Sequence, residues 1–178
     1  MFTLRRFLFV LALGCVQFSL AAGDLAKPRI EVFKAKRELR LFDGDKLVKS
    51  FRVALGTNPK PPKEREGDRA TPEGSYFICR KNAKSQFHLS LGISYPGPHD
   101  AERGFKAGLI SERQREAIIE AHRSGRTPPW DTRLGGEIFV HGRGSKSDWT
   151  LGCIALDDAD IEELYRLVPV GTAITIYP

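Results

Sequence analysis

Residues Ile138 to Leu156 read IFVHGRGSKSDWTLGCIAL, and the fold turns on how they are parsed. Ile138, Phe139 and Val140 form a short apolar run of strand character, which His141-Gly142 ends. Gly142, Gly144 and Ser145 punctuate a loop. Thr150-Leu151-Gly152-Cys153 then leads into a second apolar run, Ile154-Ala155-Leu156. Two buried segments joined by a loop can bring their ends together, which would set His141 beside Cys153.

That pair suits thiolate attack on a carbonyl. A free cysteine is mostly protonated at neutral pH, and a neighbouring imidazole can take the proton and stabilise the thiolate. The same imidazole can return a proton to the leaving amine. Gly152 has no side chain to block a substrate, and backbone N–H groups around Gly152-Cys153 are expected to face the oxyanion formed during attack.

On these residues the segment resembles the signature of the L,D-transpeptidases, bacterial cysteine enzymes that remodel peptidoglycan. Their pattern is a His-Gly at a strand end, a variable loop, then Ser/Thr-His-Gly-Cys and an apolar residue. Here it stands as His141-Gly142 and Thr150-Leu151-Gly152-Cys153-Ile154. Leu151 replaces the usual histidine, Ala155 stands where an arginine or asparagine is common, and the intervening loop is short. The resemblance implies a histidine oriented by a backbone carbonyl just after it, here that of Gly142 or Arg143. It also implies a tyrosine near the cysteine that helps bind the substrate carbonyl, for which Tyr95 in Ser94-Tyr95-Pro96 is the candidate; the alternative is an aromatic core residue with its hydroxyl satisfied. Independently, Asp148 could orient His141, and Arg143 could hold a substrate carboxylate bidentately or stand free in solvent.

A chain of 178 residues fits one domain with a sizeable core. With 41% apolar and 28% charged residues the composition is that of an ordinary globular protein rather than a disordered or membrane-embedded one. Met1 to Ala22 reads as a secretory signal, with Arg5 and Arg6 before the apolar Phe7–Val16 and cleavage after Ala21 or Ala22. An uncleaved anchor and a lipoprotein site at Cys15 are the weaker alternatives. Losing Arg5 and Arg6 lowers the formal charge of +6 to near +4. That modest basic excess suits a polyanionic cell wall. No tight Lys/Arg cluster interleaved with aromatics points to nucleic acid. Cleavage leaves Cys79 and Cys153. In an oxidising compartment a disulfide between them is the alternative to a free nucleophile.

The ordered domain is expected over residues 28–178. Ile30 to Phe42 alternates as a strand, Asp43-Gly44-Asp45 is a hairpin signal, and Leu47 to Leu55 returns. Residues 56–74 read as a turn-rich loop, with the charge run Lys63–Arg69 a wet surface and Gly67–Gly74 a rigid turn in which Pro72 pre-sets φ. Tyr76–Cys79 and Phe87–Tyr95 are further strands. Leu109–Arg123 is helical with Ser111 as N-cap, and Pro128–Asp131 is a linker. Asp157 caps a last helix whose Ile161, Leu164, Tyr165 and Val168 share a face, and Ala173–Tyr177 is a final strand.

The expected class is therefore α+β and β-rich. The resemblance implies an L,D-transpeptidase-like β-sandwich with a few peripheral helices. His88, His99 and His122 lack metal-ligand spacing, so no metal or organic cofactor is expected. The function implied is an exported cysteine acyltransferase working on peptidoglycan stem peptides, with Cys153 as nucleophile and His141 as base and acid. Gly152 and Gly142 would serve oxyanion and orientation, and Arg143 and Tyr95 would bind substrate. The acceptor is a neighbouring stem or a wall-tethered protein; the alternative is water, giving a carboxypeptidase or endopeptidase. A wall-binding module without activity is the rival from another class.

Overall fold

The computed structural model describes residues 25–178; the expected signal segment at 1–22 and Cys15 lie outside them. Eight strands and three helices follow in chain order: β1 (Pro28–Phe33), β2 (Glu38–Asp43), β3 (Lys46–Arg52), β4 (Gly74–Ser85), β5 (His88–Ile93), α1 (Pro98–Lys106), α2 (Glu112–Arg123), β6 (Phe139–His141), β7 (Ile154–Ala155), α3 (Asp158–Leu167) and β8 (Ala173–Tyr177). The strands form one sheet in the order β3-β2-β1-β8-β4-β5-β6-β7.

Alternation drives the pairing. Ile30 and Val32 of β1 and Leu39 and Leu41 of β2 point inward and are fully buried, each burial contributing about 1.5–3 kcal/mol. β4 is long enough to serve two neighbours: Gly74–Phe77 pairs with β8, and Ile78–Ser85 pairs with β5 across register shifts. The sheet curls there, and its two ends meet. Ala54, just past β3, exchanges both backbone hydrogen bonds with Ala155 of β7, each 2.8 Å. The curl encloses one core, to which α3 adds Ile161 and Leu164. This is the α+β, strand-rich architecture expected.

Four local expectations need correction. The run Ile30–Phe42, expected as one strand, is two antiparallel strands, β1 and β2, joined by a turn over residues 34–37. The helix expected at Leu109–Arg123 is α2, capped by Ser111 as expected, but a further helix that the sequence did not indicate precedes it: α1 starts with Pro98 at its first position, where a missing N–H is harmless. Gly108, at φ 66°, breaks the chain between them. The strand expected from Phe87 begins one residue later, because Gln86-Phe87 is the β4–β5 hairpin turn. Asp157 stands at the N-cap of α3, but its carboxylate accepts from the N–H and hydroxyl of Ser145 (2.9 and 3.1 Å) instead of capping the helix. Among the described residues no helix is long and apolar enough to cross a membrane.

Candidate active site

The parallel pairing of β6 with β7 sets the site. Val140 faces Ile154 and His141 faces Ala155, so Cys153 falls level with Phe139. Val140 and Ile154 fill the core. Side chains alternate along a strand, so Phe139, His141 and the preceding Cys153 project to the other face. There His141 and Cys153 line one cavity of about 780 Å³. Lys63, Glu66, Arg69, Gly135–Ile138 and Trp130 line it, together with Phe87, Trp149 and the largely exposed Leu151.

His141 is buried, and its ring is held on three sides. Nδ1 lies 2.7 Å from the Gly142 carbonyl. A carbonyl only accepts, so Nδ1 carries the proton and Nε2 keeps its lone pair. Phe87 stacks on the imidazole at 4.6 Å between ring centroids, and Trp149 meets it edge-on at 5.6 Å. Burial pushes the His141 pKa below its ordinary 6.5, against the opposing Gly142 hydrogen bond. The ring is a neutral base at pH 7.

Cys153 is half-buried and, like Cys79, a free thiol in this structure, not half of a disulfide. The Cys153 sulfur accepts from the Phe139 N–H at 3.4 Å and donates to the Glu137 carbonyl at 3.7 Å. Burial pushes its pKa up to about 11, although the Phe139 N–H and the Lys63 charge pull the other way. At rest the cavity therefore holds a thiol and a neutral imidazole.

The turn before the cysteine is tightly packed. Gly152 has φ +132°, and a Cβ there would come 2.8 Å from the Ala70 carbonyl oxygen. Its N–H, expected at the oxyanion, instead donates to Thr150 Oγ1 at 3.1 Å. The Cys153 N–H has no acceptor among the described residues.

Other expected site residues lie elsewhere. Tyr95 is fully buried and its hydroxyl donates to the Leu134 carbonyl at 3.0 Å, so it is a core residue and not a substrate contact. Arg143 is exposed on a neighbouring groove, across the Phe87–Trp149 ridge from the thiol. Its N–H donates to Asp158 and its guanidinium to the Gln86 carbonyl, which removes it from the Cys153 cavity. Asp148 does not touch His141; it pairs with Arg37 at 2.6 Å and accepts from the Leu55 N–H at 2.9 Å. His88 pairs with Glu162, His122 bonds the Ser94 carbonyl and His99 is exposed.

The sequence reading missed Phe87, Trp149 and Lys63. Trp149 offered a signal, as an aromatic four residues before the cysteine. Phe87 was assigned to a strand, and Lys63 was hidden in a charge run.

The family model of the YkuD L,D-transpeptidase catalytic domain matches residues 27–176. This chain belongs to that family. A curated relative, the Escherichia coli (strain K12) protein YafK, named as an L,D-transpeptidase candidate, is 23% identical over 78% of this chain and 46% of its own length. The chain thus spans about half the length of the curated relatives it matches. Among solved structures, the helical cell shape determining protein Pgp2 of Campylobacter jejuni is similar at TM-score 0.59 and 22% identity, covering 84% of this chain and 47% of that one. An L,D-transpeptidase of Xylanimonas cellulosilytica is similar at TM-score 0.50 and 15% identity, covering 85% of this chain and 60% of that one. These likenesses concern the fold. In this L,D-transpeptidase domain Leu151, just before Gly152-Cys153, is 73% exposed.

Proposed function

We propose that this L,D-transpeptidase domain is an exported cysteine acyltransferase that acts on peptidoglycan stem peptides. The observation that carries the reading is the cavity shared by the Cys153 thiol and a neutral His141, with Nδ1 tied to Gly142. Export rests on the segment 1–22 alone.

In the reaction, the Cys153 sulfur attacks the carbonyl of the third, diamino-acid residue of a donor stem. The sulfur's proton passes to His141 Nε2, a C–S bond forms, and the carbonyl π pair moves to oxygen. The Cys153 N–H is the donor available to that oxyanion. Collapse breaks the C–N bond, and the leaving amine of a terminal D-alanine takes the proton from Nε2. A thioester remains. An amine of a neighbouring stem or of a tethered protein attacks the thioester and loses its proton to the same nitrogen; a C–N bond forms, the C–S bond breaks, and the departing Cys153 sulfur takes that proton back.

Acylation by a carbapenem, read by intact mass, tests the assignment. The wild-type protein gains one adduct, while Cys153→Ala gains none and His141→Ala gains it far more slowly. Equal adducts on all three proteins would refute it. A second reading, in which water resolves the thioester, is favoured by Leu151. An exposed leucine in the cavity lining offers no hydrogen bond to an incoming amine. A muropeptide digest separates the two, since transfer yields cross-linked dimers and hydrolysis yields trimmed monomers.

A further inference from the structure

Lys63 is a buried cation that the steps above leave without a task. It sits in a charge run, yet it is only 3% exposed and lines the cavity holding His141 and Cys153. Sinking an ammonium is costly unless partners replace water. Two do: Nζ donates to the Arg65 carbonyl and to Asp68 Oδ1, each at 2.9 Å. A lysine carries three donors; Nζ also lies 5.9 Å from the centroid of the Tyr95 ring, and one N–H has no hydrogen-bond acceptor among the described residues.

Bracing the loop does not account for this ammonium. Asp68 already gathers the turn by accepting from the backbone N–H groups of Glu64, Arg65 and Ala70 at 2.7, 2.9 and 3.0 Å. The main chain of Lys63 is itself fixed from α1. Arg103 donates to the Lys63 carbonyl at 2.9 Å and to Asp100 at 3.1 Å. Asp100, buried, accepts from the Tyr76 hydroxyl at 2.8 Å and the Gly97 N–H at 2.9 Å. A buried polar chain thus ends on the residue that presents the ammonium to the cavity wall.

We propose that Lys63 stabilises the negative charge that forms in this cavity, first on the Cys153 sulfur and then on the oxyanion. The proposal rests on Cys153 being the nucleophile. The charged and titratable groups around the thiol are Lys63, Arg69, Glu66, Glu137 and His141. Arg69, Glu66 and Glu137 are exposed, where water and salt screen them, and His141 is neutral. Among the described residues Lys63 is the one cation in the low-dielectric wall, where a field acts most strongly, and Asp68, its counter-ion at 2.9 Å, tempers that field. Its charge favours the Cys153 thiolate against burial and Glu137. Lys63 keeps its proton throughout; the thiol proton goes to His141 Nε2.

The test is the pH dependence of Cys153 alkylation by iodoacetamide, mapped to the residue so that Cys79 does not interfere. It needs no substrate. Lys63→Met moves the midpoint up by about one pH unit, so labelling at a fixed pH falls about tenfold. Lys63→Arg stays near wild type. Asp68→Asn, which strips the ammonium of its counter-ion, moves the midpoint down. Opposite shifts in the Met and Asn variants support the field, because simple damage to the turn displaces both the same way. Same-direction shifts, or an unmoved Lys63→Met, overturn the proposal. Should Lys63→Met fail to fold, the direction in Asp68→Asn decides. A protein showing these shifts but taking no adduct from carbapenem or stem peptide would refute the acyltransferase reading and leave the electrostatic one standing.

Discussion

Replacing Trp149 by alanine removes one wall of the clamp on His141. The indole meets the imidazole at 5.6 Å and Phe87 at 5.9 Å, and its Nε1 donates to the Gly144 carbonyl at 3.1 Å. Each aromatic pair contributes about 0.5–1.5 kcal/mol beyond area burial, and such a hydrogen bond about 0.5–1.5 kcal/mol. The side chain is already 38% exposed, which trims the loss, so a fall of about 2–3 kcal/mol in unfolding free energy is expected by urea titration. The chemical effect has a definite sign. Burial keeps the His141 pKa below 6.5. Opening the clamp admits water, eases that penalty and moves the pKa up toward 6.5. The base is the active form, so the acid limb of the acylation rate moves to higher pH, and Trp149→Phe restores part of it. Stability changes with it. A histidine depressed in the folded state contributes stability that is present above the unfolded pKa and lost as pH falls through the folded one; that slope flattens in the alanine variant. A loss of stability with an acid limb that stays put, or moves down, would show that Trp149 braces the loop without tuning the base.

Gly152→Ala forces a Cβ to 2.8 Å from the Ala70 oxygen and 3.2 Å from Ile138 Cδ1 at φ +132°. About 2–4 kcal/mol of stability should be lost in a thermal melt, and an unchanged melting point would mean that the turn relaxes freely. In Asp148, burial raises the carboxyl pKa, but the Arg37 hydrogen bond and then the Leu55 N–H outweigh it and hold the group below 3.8. Its contribution is therefore present above that value and lost as pH falls through the lower folded one; Asp148→Asn should cost about 1.5–3 kcal/mol at pH 7 and remove that acid slope, which urea titration at several pH values reads. Because thiol and imidazole both rest neutral, acylation at pH 7 should run about twofold slower in deuterium oxide, whereas equal rates would indicate a preformed ion pair.

How far the sequence carried depends on the kind of signal. Strands β1, β2 and β8 alternate cleanly because each has one face on the core, so period two was visible in residues such as Ile30, Val32, Leu39 and Leu41. His141 and Cys153 were legible because each ends or precedes an apolar run that pairing in parallel brings into register. Helix α1 was not legible, since its buried residues are Asp100, Ala101 and Gly104 and offer no apolar stripe. Gly104 is packed so closely on Leu134 that a Cβ would lie 2.6 Å from Leu134 Cδ2. Tyr95 and Arg143 failed for a shared reason. Neither a resemblance at Ser94-Tyr95-Pro96 nor the nearness of Arg143 to His141 says which side of a sheet or ridge a side chain occupies, and neither residue lines the cavity.

The charge run at 63–69 shows why composition misled most at the site itself. Six of its seven residues are charged, and a solvated loop is the ordinary outcome of such a run. Here one carboxylate, Asp68, collects three backbone N–H groups and an ammonium, so the loop closes on itself and can stand as a wall. The Gly56 N–H then donates to Thr71 Oγ1 at 3.1 Å, and an added Cβ at Gly56 would meet the Arg69 oxygen at 2.1 Å. That oxygen accepts from Asn58 at 3.1 Å, while the next carbonyl, Ala70, lies against Gly152. The wall is thus fastened to the turn that carries Cys153 through glycines that permit backbone-to-backbone approach. A thiol raised to about 11 has roughly one part in ten thousand as thiolate at pH 7. Rapid acylation then requires that the proton leave as the substrate arrives. His141 must already hold a free lone pair and the walls must already be in place, and the clamp and the fastened loop supply those two conditions.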